Sequence, residues 1–116
     1  MTDIYHNPRC SKSRQTLALL EQHNIQANII GYIKQPLTVA TLETLVDQLA
    51  ITPRDLLRKG EAVYKELGLK KASLSDSTLL QAMSEYPQLI ERPIVVHDGK
   101  AKLGRPPEDV LELFAL

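Results

Sequence analysis

The stretch of residues 5–14 constrains the fold most, because a strand ends there, a helix begins there, and the chain's single cysteine lies between them. Residues 3–5 have the composition of a short strand. Pro8 interrupts that strand, because proline donates no backbone hydrogen bond and restricts the residue before it. Beyond Ser11 the apolar residues recur at helical spacing. The sequence therefore predicts a strand–loop–helix corner with Cys10 at the helix N-terminus.

A cysteine at a helix N-terminus is favoured as a thiolate, because backbone N–H groups there lack partners and the helix dipole is positive. Arg9, Lys12 and Arg14 add positive charge within a few residues. The alternative is that Cys10 is a small buried hydrophobic residue, as most free cysteines are. Its polar and basic flanks favour the reactive thiolate.

Composition limits the kind of protein this can be. A length of 116 residues suits one domain, and 43% hydrophobic with 24% charged residues is typical of a soluble globular protein. Fourteen basic residues balance fourteen acidic ones, so no overall field favours nucleic acid or an anionic membrane as a partner. No apolar run is long enough for a membrane span, and we expect no signal peptide. With one cysteine and no internal disulfide, the expected compartment is the reducing cytoplasm.

Periodicity predicts the order of the elements. The first strand, a helix over about 11–23 and a β-rich run over 27–33 imply a parallel, right-handed βαβ unit. Residues from about 36 to 88 are predicted to be helical. Asp98-Gly99 between two β-rich runs predicts a hairpin, which a C-terminal helix follows. This order, βαβ and then ββα with a helical insertion between the halves, is the plan of a thioredoxin-like α/β fold in a single domain of residues 1–116.

Individual side chains refine these elements. The expected N-caps of the helical segment are Thr38, Thr52 with Pro53 at the first helical position, and either Ser75 or Asp76. The apolar side of the first helix is expected to consist of Leu17 and Leu20 with, less regularly, Ala18 and Leu19. The C-terminal helix is expected to pack through Val110, Leu111 and Phe114.

The spacing around the cysteine excludes several chemistries. One cysteine and three histidines show none of the paired spacings of a zinc site, so no metal is expected. A phosphatase loop would need an arginine where Thr16 stands. A dithiol redox motif would need a second cysteine where Ser13 stands. What remains is a monothiol corner, which can attack an electrophile but must take any resolving thiol from another molecule.

Several separated motifs resemble those of the glutaredoxin-linked arsenate reductases of the ArsC/Spx family, and together they cover almost the whole chain. The motifs are Tyr5-His6-Asn7-Pro8-Arg9-Cys10-Ser11-Lys12-Ser13-Arg14, Leu56-Leu57-Arg58-Lys59, Glu91-Arg92-Pro93-Ile94-Val95-Val96 and Gly104-Arg105-Pro106. The resemblance implies an arsenate reductase that binds no cofactor and uses glutathione as co-substrate and glutaredoxin as partner. We expect a monomer, although the sequence does not determine whether the chain dimerises.

The resemblance also implies roles for individual residues. Cys10 corresponds to the nucleophile that bonds arsenic, and His6 to a histidine near the thiol. The family's three oxyanion-binding arginines fall on Arg58, Arg92 and Arg105. Pro93 corresponds to the cis-proline that faces a thioredoxin-like active site. From its spacing alone, Ser13 is expected one helical turn from Cys10, where its hydroxyl could donate a hydrogen bond to the thiolate.

The arginines also have ordinary interpretations. Taken singly, Arg58 fits a solvated helix face, Arg92 a surface ion pair with Glu91, and Arg105 a cover for apolar surface. Together the three arginines are consistent with an oxyanion site, because a tetrahedral oxyanion needs several planar donors that stay charged.

Two departures from the family pattern keep other functions open. Cys10-Ser11-Lys12-Ser13 stands where well-studied arsenate reductases have a Cys-Gly-Thr-Ser type of sequence, and the chain stops after the last predicted helix. Both features resemble a shorter branch of the family. The alternatives are an Spx-like redox regulator, which typically has a second cysteine at Ser13, and a thiol-dependent reductase of another substrate.

Overall fold

The computed structural model describes residues 1–114, which divide into two compact units. The first unit comprises residues 1–35 and 92–114, and the second comprises Pro36–Glu91. The second unit is helical and falls where the sequence predicts the insertion. Within residues 1–114, no helix combines the length and the apolar character that a bilayer crossing requires.

A four-stranded mixed sheet forms the centre of the first unit. Its strands are β1 (Thr2–Tyr5), β2 (Asn28–Ile30), β3 (Ile94–His97) and β4 (Lys100–Leu103), in the order β2-β1-β3-β4. The β1–β2 pair is parallel, with Ile4 opposite Ile29. The β1–β3 and β3–β4 pairs are antiparallel. The predicted βαβ unit and hairpin are therefore both present.

Turns set the lengths of these strands. Strand β2 is shorter than the predicted run of 27–33, because the N–H groups of Lys34 and Gln35 both donate to the carbonyl of Gly31 and close a turn there. The hairpin turn has φ of 49° at Asp98 and 81° at Gly99. Two positive φ values match the right-handed twist of the strands, which explains why Asp-Gly is the reliable signal.

Helix α1 (Ser11–Gln22) packs on this sheet through a face that the sequence predicts only in part. Leu20 is fully buried and Leu17 is partly buried, as expected, whereas Ala18 is exposed. The rest of the buried face consists of Ser13 and Thr16, both 0% exposed. These polar residues lie inward because they share the helical spacing of Leu20 and have hydrogen-bond partners.

The C-terminal segment differs from the predicted α-helix. Pro107–Leu113 forms a 3-10 helix, whose turns close over three residues, as in the bond from the N–H of Asp109 to the carbonyl of Pro106 at 3.0 Å. Val110 is fully buried, whereas Leu111 and Phe114 are only partly buried. This segment completes a hydrophobic core whose fully buried members are Ile4, Leu20, Val95 and Val110.

The second unit contains four helices, α2 (Val39–Leu49), α3 (Pro53–Leu56), α4 (Ala62–Glu66) and α5 (Asp76–Glu85), and the short 3-10 helix Pro87–Leu89. Its N-caps agree with the sequence: the hydroxyls of Thr38 and Ser75 each accept a backbone N–H bond. Thr52 forms a reciprocal capping box with Asp55, and Pro53 is at the first helical position.

Candidate active site

Cys10 lies at the junction that the sequence indicates, as the N-cap residue of α1 with φ −95° and ψ 124°. Its N–H donates to the carbonyl of Asn7, and its own carbonyl accepts the N–H of Arg14, both at 3.0 Å. The residue is 8% exposed. Cys10 is therefore held at the first turn of the helix by backbone bonds on both sides.

Asn7 fixes the loop that carries Cys10, a role that the motif alone does not identify. Its Oδ1 accepts the N–H of Arg9 at 3.0 Å, and its own N–H donates to Ser13 Oγ at 3.0 Å. Arg14 Nη1 adds a bond to the carbonyl of Pro8 at 2.8 Å. Asparagine before proline is itself a turn signal, and this sequence feature could have predicted that Asn7 forms the hydrogen bonds that stabilise the loop.

Opposing effects act on the Cys10 thiol. Burial is the largest and raises its pKa, but the backbone N–H groups of Ser13 and Lys12 and the guanidinium of Arg92 favour the thiolate, and together they lower the pKa. Arg92 acts both through its charge and through a hydrogen bond to the sulfur. The direction of this shift agrees with the sequence prediction of a low-pKa thiol.

The source of the positive charge differs from that prediction. Arg92, far away in sequence, is the cation that acts on the thiolate, and Lys12 contributes through its backbone N–H. Arg9 and Arg14 are exposed, and the guanidinium of Arg14 is bound to a carbonyl. The exposed arginines next to Cys10 in sequence are therefore not the cations that act on the sulfur, whereas Arg92 reaches it from the segment that precedes β3.

His6 and Ser13 form a buried pair under the loop. Nδ1 of His6 and Oγ of Ser13 are 2.6 Å apart, and the two residues are 8% and 0% exposed. Burial, and secondarily the charge of Arg14, lower the pKa of His6. The imidazole is therefore neutral at neutral pH.

The Ser13 hydroxyl is not placed as the sequence predicts. It is hydrogen-bonded to His6 and to the N–H of Asn7, and it is the Ser13 backbone N–H that favours the thiolate. The reason is geometric: one turn beyond the N-cap, the side chain points into the unit while the first-turn N–H groups point towards the sulfur.

The hairpin brings Arg92 and Arg105 together. Arg92 precedes β3 and Arg105 follows β4, and Nη1 of Arg105 donates to the carbonyl of Arg92 at 3.3 Å. The peptide bonds Arg92–Pro93 and Arg105–Pro106 are both cis, the first at the proline for which the resemblance implies it. Cys10 and these two arginines therefore belong to one constellation of the first unit.

Arg58 lies in the second unit, directly after α3. Its Nη1 is 3.2 Å from Glu61 Oε2, and its Nε is 3.5 Å from Glu91 Oε1. Its backbone N–H donates to the carbonyl of Leu89 at 2.7 Å. The residue is thus part of a local ion-pair network, and its role towards an oxyanion stays a prediction from the resemblance.

Comparison with known proteins decides the family. A family model described as the ArsC family matches residues 5–113. The chain belongs to the ArsC family.

Several relatives of this ArsC chain are similar to it over more than nine-tenths of their own length. The uncharacterized protein YfgD of Escherichia coli K12 is 51% identical over 111 residues, which are 95% of this chain and 93% of YfgD. A protein of Haemophilus influenzae named arsenate reductase is 49% identical over 112 residues, covering 96% and 97% of the two chains. A solved structure of an arsenate reductase from Vibrio cholerae is 51% identical, covers 97% of each chain and superposes with a TM-score of 0.96. The mixed four-stranded sheet of this ArsC protein is thus the thioredoxin-like fold of those structures.

Proposed function

We propose that this ArsC protein is an arsenate reductase in which the Cys10 thiolate attacks arsenic. The observation that carries the proposal is the guanidinium of Arg92 at the sulfur, with Arg105 bound to the carbonyl of the same arginine. The names of relatives at 42–49% identity support arsenate as the substrate. A thiolate and an oxyanion repel each other, so a site that joins them needs fixed positive charge.

The arginines serve both reactants in this proposal. Arg92 favours the thiolate of Cys10 before substrate arrives, and its planar donors suit an arsenate oxygen at the same place. Arg105 is exposed, and its guanidinium lies at the backbone of Arg92, where it can add further donors. In the attack on protonated arsenate, a sulfur–arsenic bond forms, and one As–OH group takes up a proton from solvent and leaves as water.

The reducing electrons come from outside the chain, because Cys10 is its single cysteine. Reduction of arsenate to arsenite takes two electrons, which two thiols supply by ending as one disulfide. We propose glutathione as the thiol that attacks the arsenic adduct and glutaredoxin as the partner that resolves the mixed disulfide. This chemistry needs a compartment in which thiols are kept reduced, so we propose that the enzyme acts in the cytoplasm. We also propose that it acts as a monomer.

Binding of the oxyanion can be tested separately from turnover. Arsenate, and phosphate as its non-reducible analogue, should each raise the melting temperature and slow iodoacetamide alkylation of Cys10, because a ligand of the folded state must stabilise it. Arg105→Ala should weaken both effects while the melting temperature without ligand changes little.

The ion and the site each need a control. Sulfate at equal ionic strength separates specific binding from salt effects. Equal protection of Cys10 in the parent and in Arg105→Ala would show that Arg105 does not bind the oxyanion. No effect of arsenate on either measurement would favour the redox-regulator alternative, in which the thiol senses oxidation.

A further inference from the structure

The parts of the site come from elements that are far apart in sequence. Cys10 is the N-cap of α1, whereas Arg92 and Arg105 flank the β3–β4 hairpin. The effect of Arg92 on the sulfur depends on distance, so some contact must hold the hairpin ends against α1. The family resemblance and the proposed mechanism assign no residue to this task.

Gly104 and Thr16 make that contact. Gly104 is buried, and a Cβ built on it would collide with Thr16 Oγ1 and would lie 2.8 Å from Cγ of Pro93. Its N–H donates to the carbonyl of Pro93 at 2.9 Å. The backbone at Gly104 therefore touches α1 on one side and Pro93 on the other.

Space, and not backbone conformation, requires glycine here. The glycines with positive φ are Gly68 and Gly99, among the residues that the structure describes. Gly104 is not one of them, so an L-residue could adopt its backbone angles. At the other four glycines of the chain, a Cβ would meet nothing within 4 Å.

Thr16 provides a rigid surface for this approach. The residue is 0% exposed, and its hydroxyl donates to the carbonyl of Lys12 at 2.8 Å, within the first turns of α1. Because that bond fixes the rotamer, Oγ1 cannot swing away from Gly104. The hydroxyl thus ties the contact to the same turn whose N–H groups face the sulfur.

We propose that Gly104 and Thr16 are positioning residues whose contact fixes both arginines of the site against the N-terminus of α1. Gly104 directly precedes Arg105 and is bonded to the residue after Arg92, so a displacement at Gly104 moves both guanidinium groups. The inference concerns the geometry around the sulfur and deepens the proposed function without requiring that arsenate be the substrate.

The experiment compares Gly104→Ala with Gly31→Ala in the full chain. Both add one methyl group in the first unit at an ordinary φ, but a Cβ at Gly31 has open space. Alkylation of Cys10 by iodoacetamide is followed against pH, with circular dichroism as the check on folding. Gly104→Ala should raise the midpoint by about one pH unit, the scale on which a neighbouring charge acts, and Gly31→Ala should leave it unchanged.

Thr16→Ala keeps the test decisive if Gly104→Ala does not fold. Removal of the hydroxyl loosens the contact, so this variant should also raise the midpoint. In the double variant, the clash with Oγ1 is gone and the close approach to Pro93 Cγ remains, so the midpoint should return part of the way to that of the parent. A lower melting temperature with an unchanged midpoint in the folded variants would make the contact merely structural and overturn the proposal.

Arsenate protection, measured on the same samples, separates this inference from the proposed function. If arsenate fails to protect the parent while Gly104→Ala still raises the midpoint, the proposed substrate is wrong and the positioning role stands. If arsenate protects the parent, and Gly104→Ala and Thr16→Ala both leave the midpoint unchanged, the positioning role is wrong and the proposed substrate stands.

Discussion

At the scale of single residues, the reactivity of Cys10 depends on a balance between burial and its donors. Burial raises the pKa of the thiol, and two backbone N–H groups together with Arg92 more than offset it. The backbone donors come with any helix N-terminus, whereas Arg92 is a side chain that substitution can remove. The contribution of the arginine can therefore be measured alone.

Arg92→Ala should raise the pH midpoint of Cys10 alkylation by roughly one unit, since it removes both a charge and a hydrogen bond from the thiolate. Arg92→Lys keeps the charge and should raise the midpoint less. Because the pKa of the parent Cys10 is lowered, its midpoint should lie below that of a free cysteine in a short peptide measured alongside. The measurement is the alkylation rate from pH 5 to 10.

Arg9→Ala is the matched control for that series. It removes an exposed arginine next to Cys10 in sequence, and it should leave the midpoint where it is. An unchanged midpoint in Arg92→Ala would mean that the backbone N–H groups favour the thiolate without help from Arg92. A large shift in Arg9→Ala would mean that the charges of the loop contribute, contrary to the prediction.

At the scale of elements, local chemistry determined most of what the sequence could predict. A cap such as Thr52 or a turn such as Asp98-Gly99 depends on a few adjacent residues, so its structure can be read locally. The buried face of α1 could not be predicted in this way. Thr16 is buried because residues that are distant in sequence, such as Gly104, pack against it. The cation that stabilises the Cys10 thiolate was missed for the same reason: Arg92 is brought to the sulfur by the pairing of β3 with β1, not by proximity in sequence.

The end of α2 gives a stability prediction of this local kind. Ala50 caps the helix with φ 57° and ψ 41°, in the left-handed region that glycine occupies without steric cost. Ala50→Gly should therefore raise the stability by about 0.5–1 kcal/mol, measured by urea denaturation. Ala18→Gly, the same change at an exposed position inside α1, should lower it by about 1 kcal/mol. A loss of stability in Ala50→Gly would contradict the conformational argument.

At the scale of the whole molecule, one thiol determines what the protein can do alone. The arrangement of sheet, α1 and hairpin gives Cys10 a positive environment in the first unit, and the chain has no second cysteine to resolve a disulfide. Under the proposed mechanism, the protein starts the reduction and needs a thiol from another molecule to finish it. Ser13 stands where a resolving thiol would be, and its hydroxyl is instead part of the buried pair with His6.

The most direct test of the central claim is steady-state arsenite formation from arsenate, with glutathione and glutaredoxin each left out in turn. The full chain should turn over only with both present, and Cys10→Ser should form no arsenite above the rate without enzyme. Thioredoxin alone should serve poorly, since the chain presents no disulfide of its own. Arsenite formation by Cys10→Ser at the parent rate, or sustained turnover with thioredoxin and no glutathione, would contradict the account.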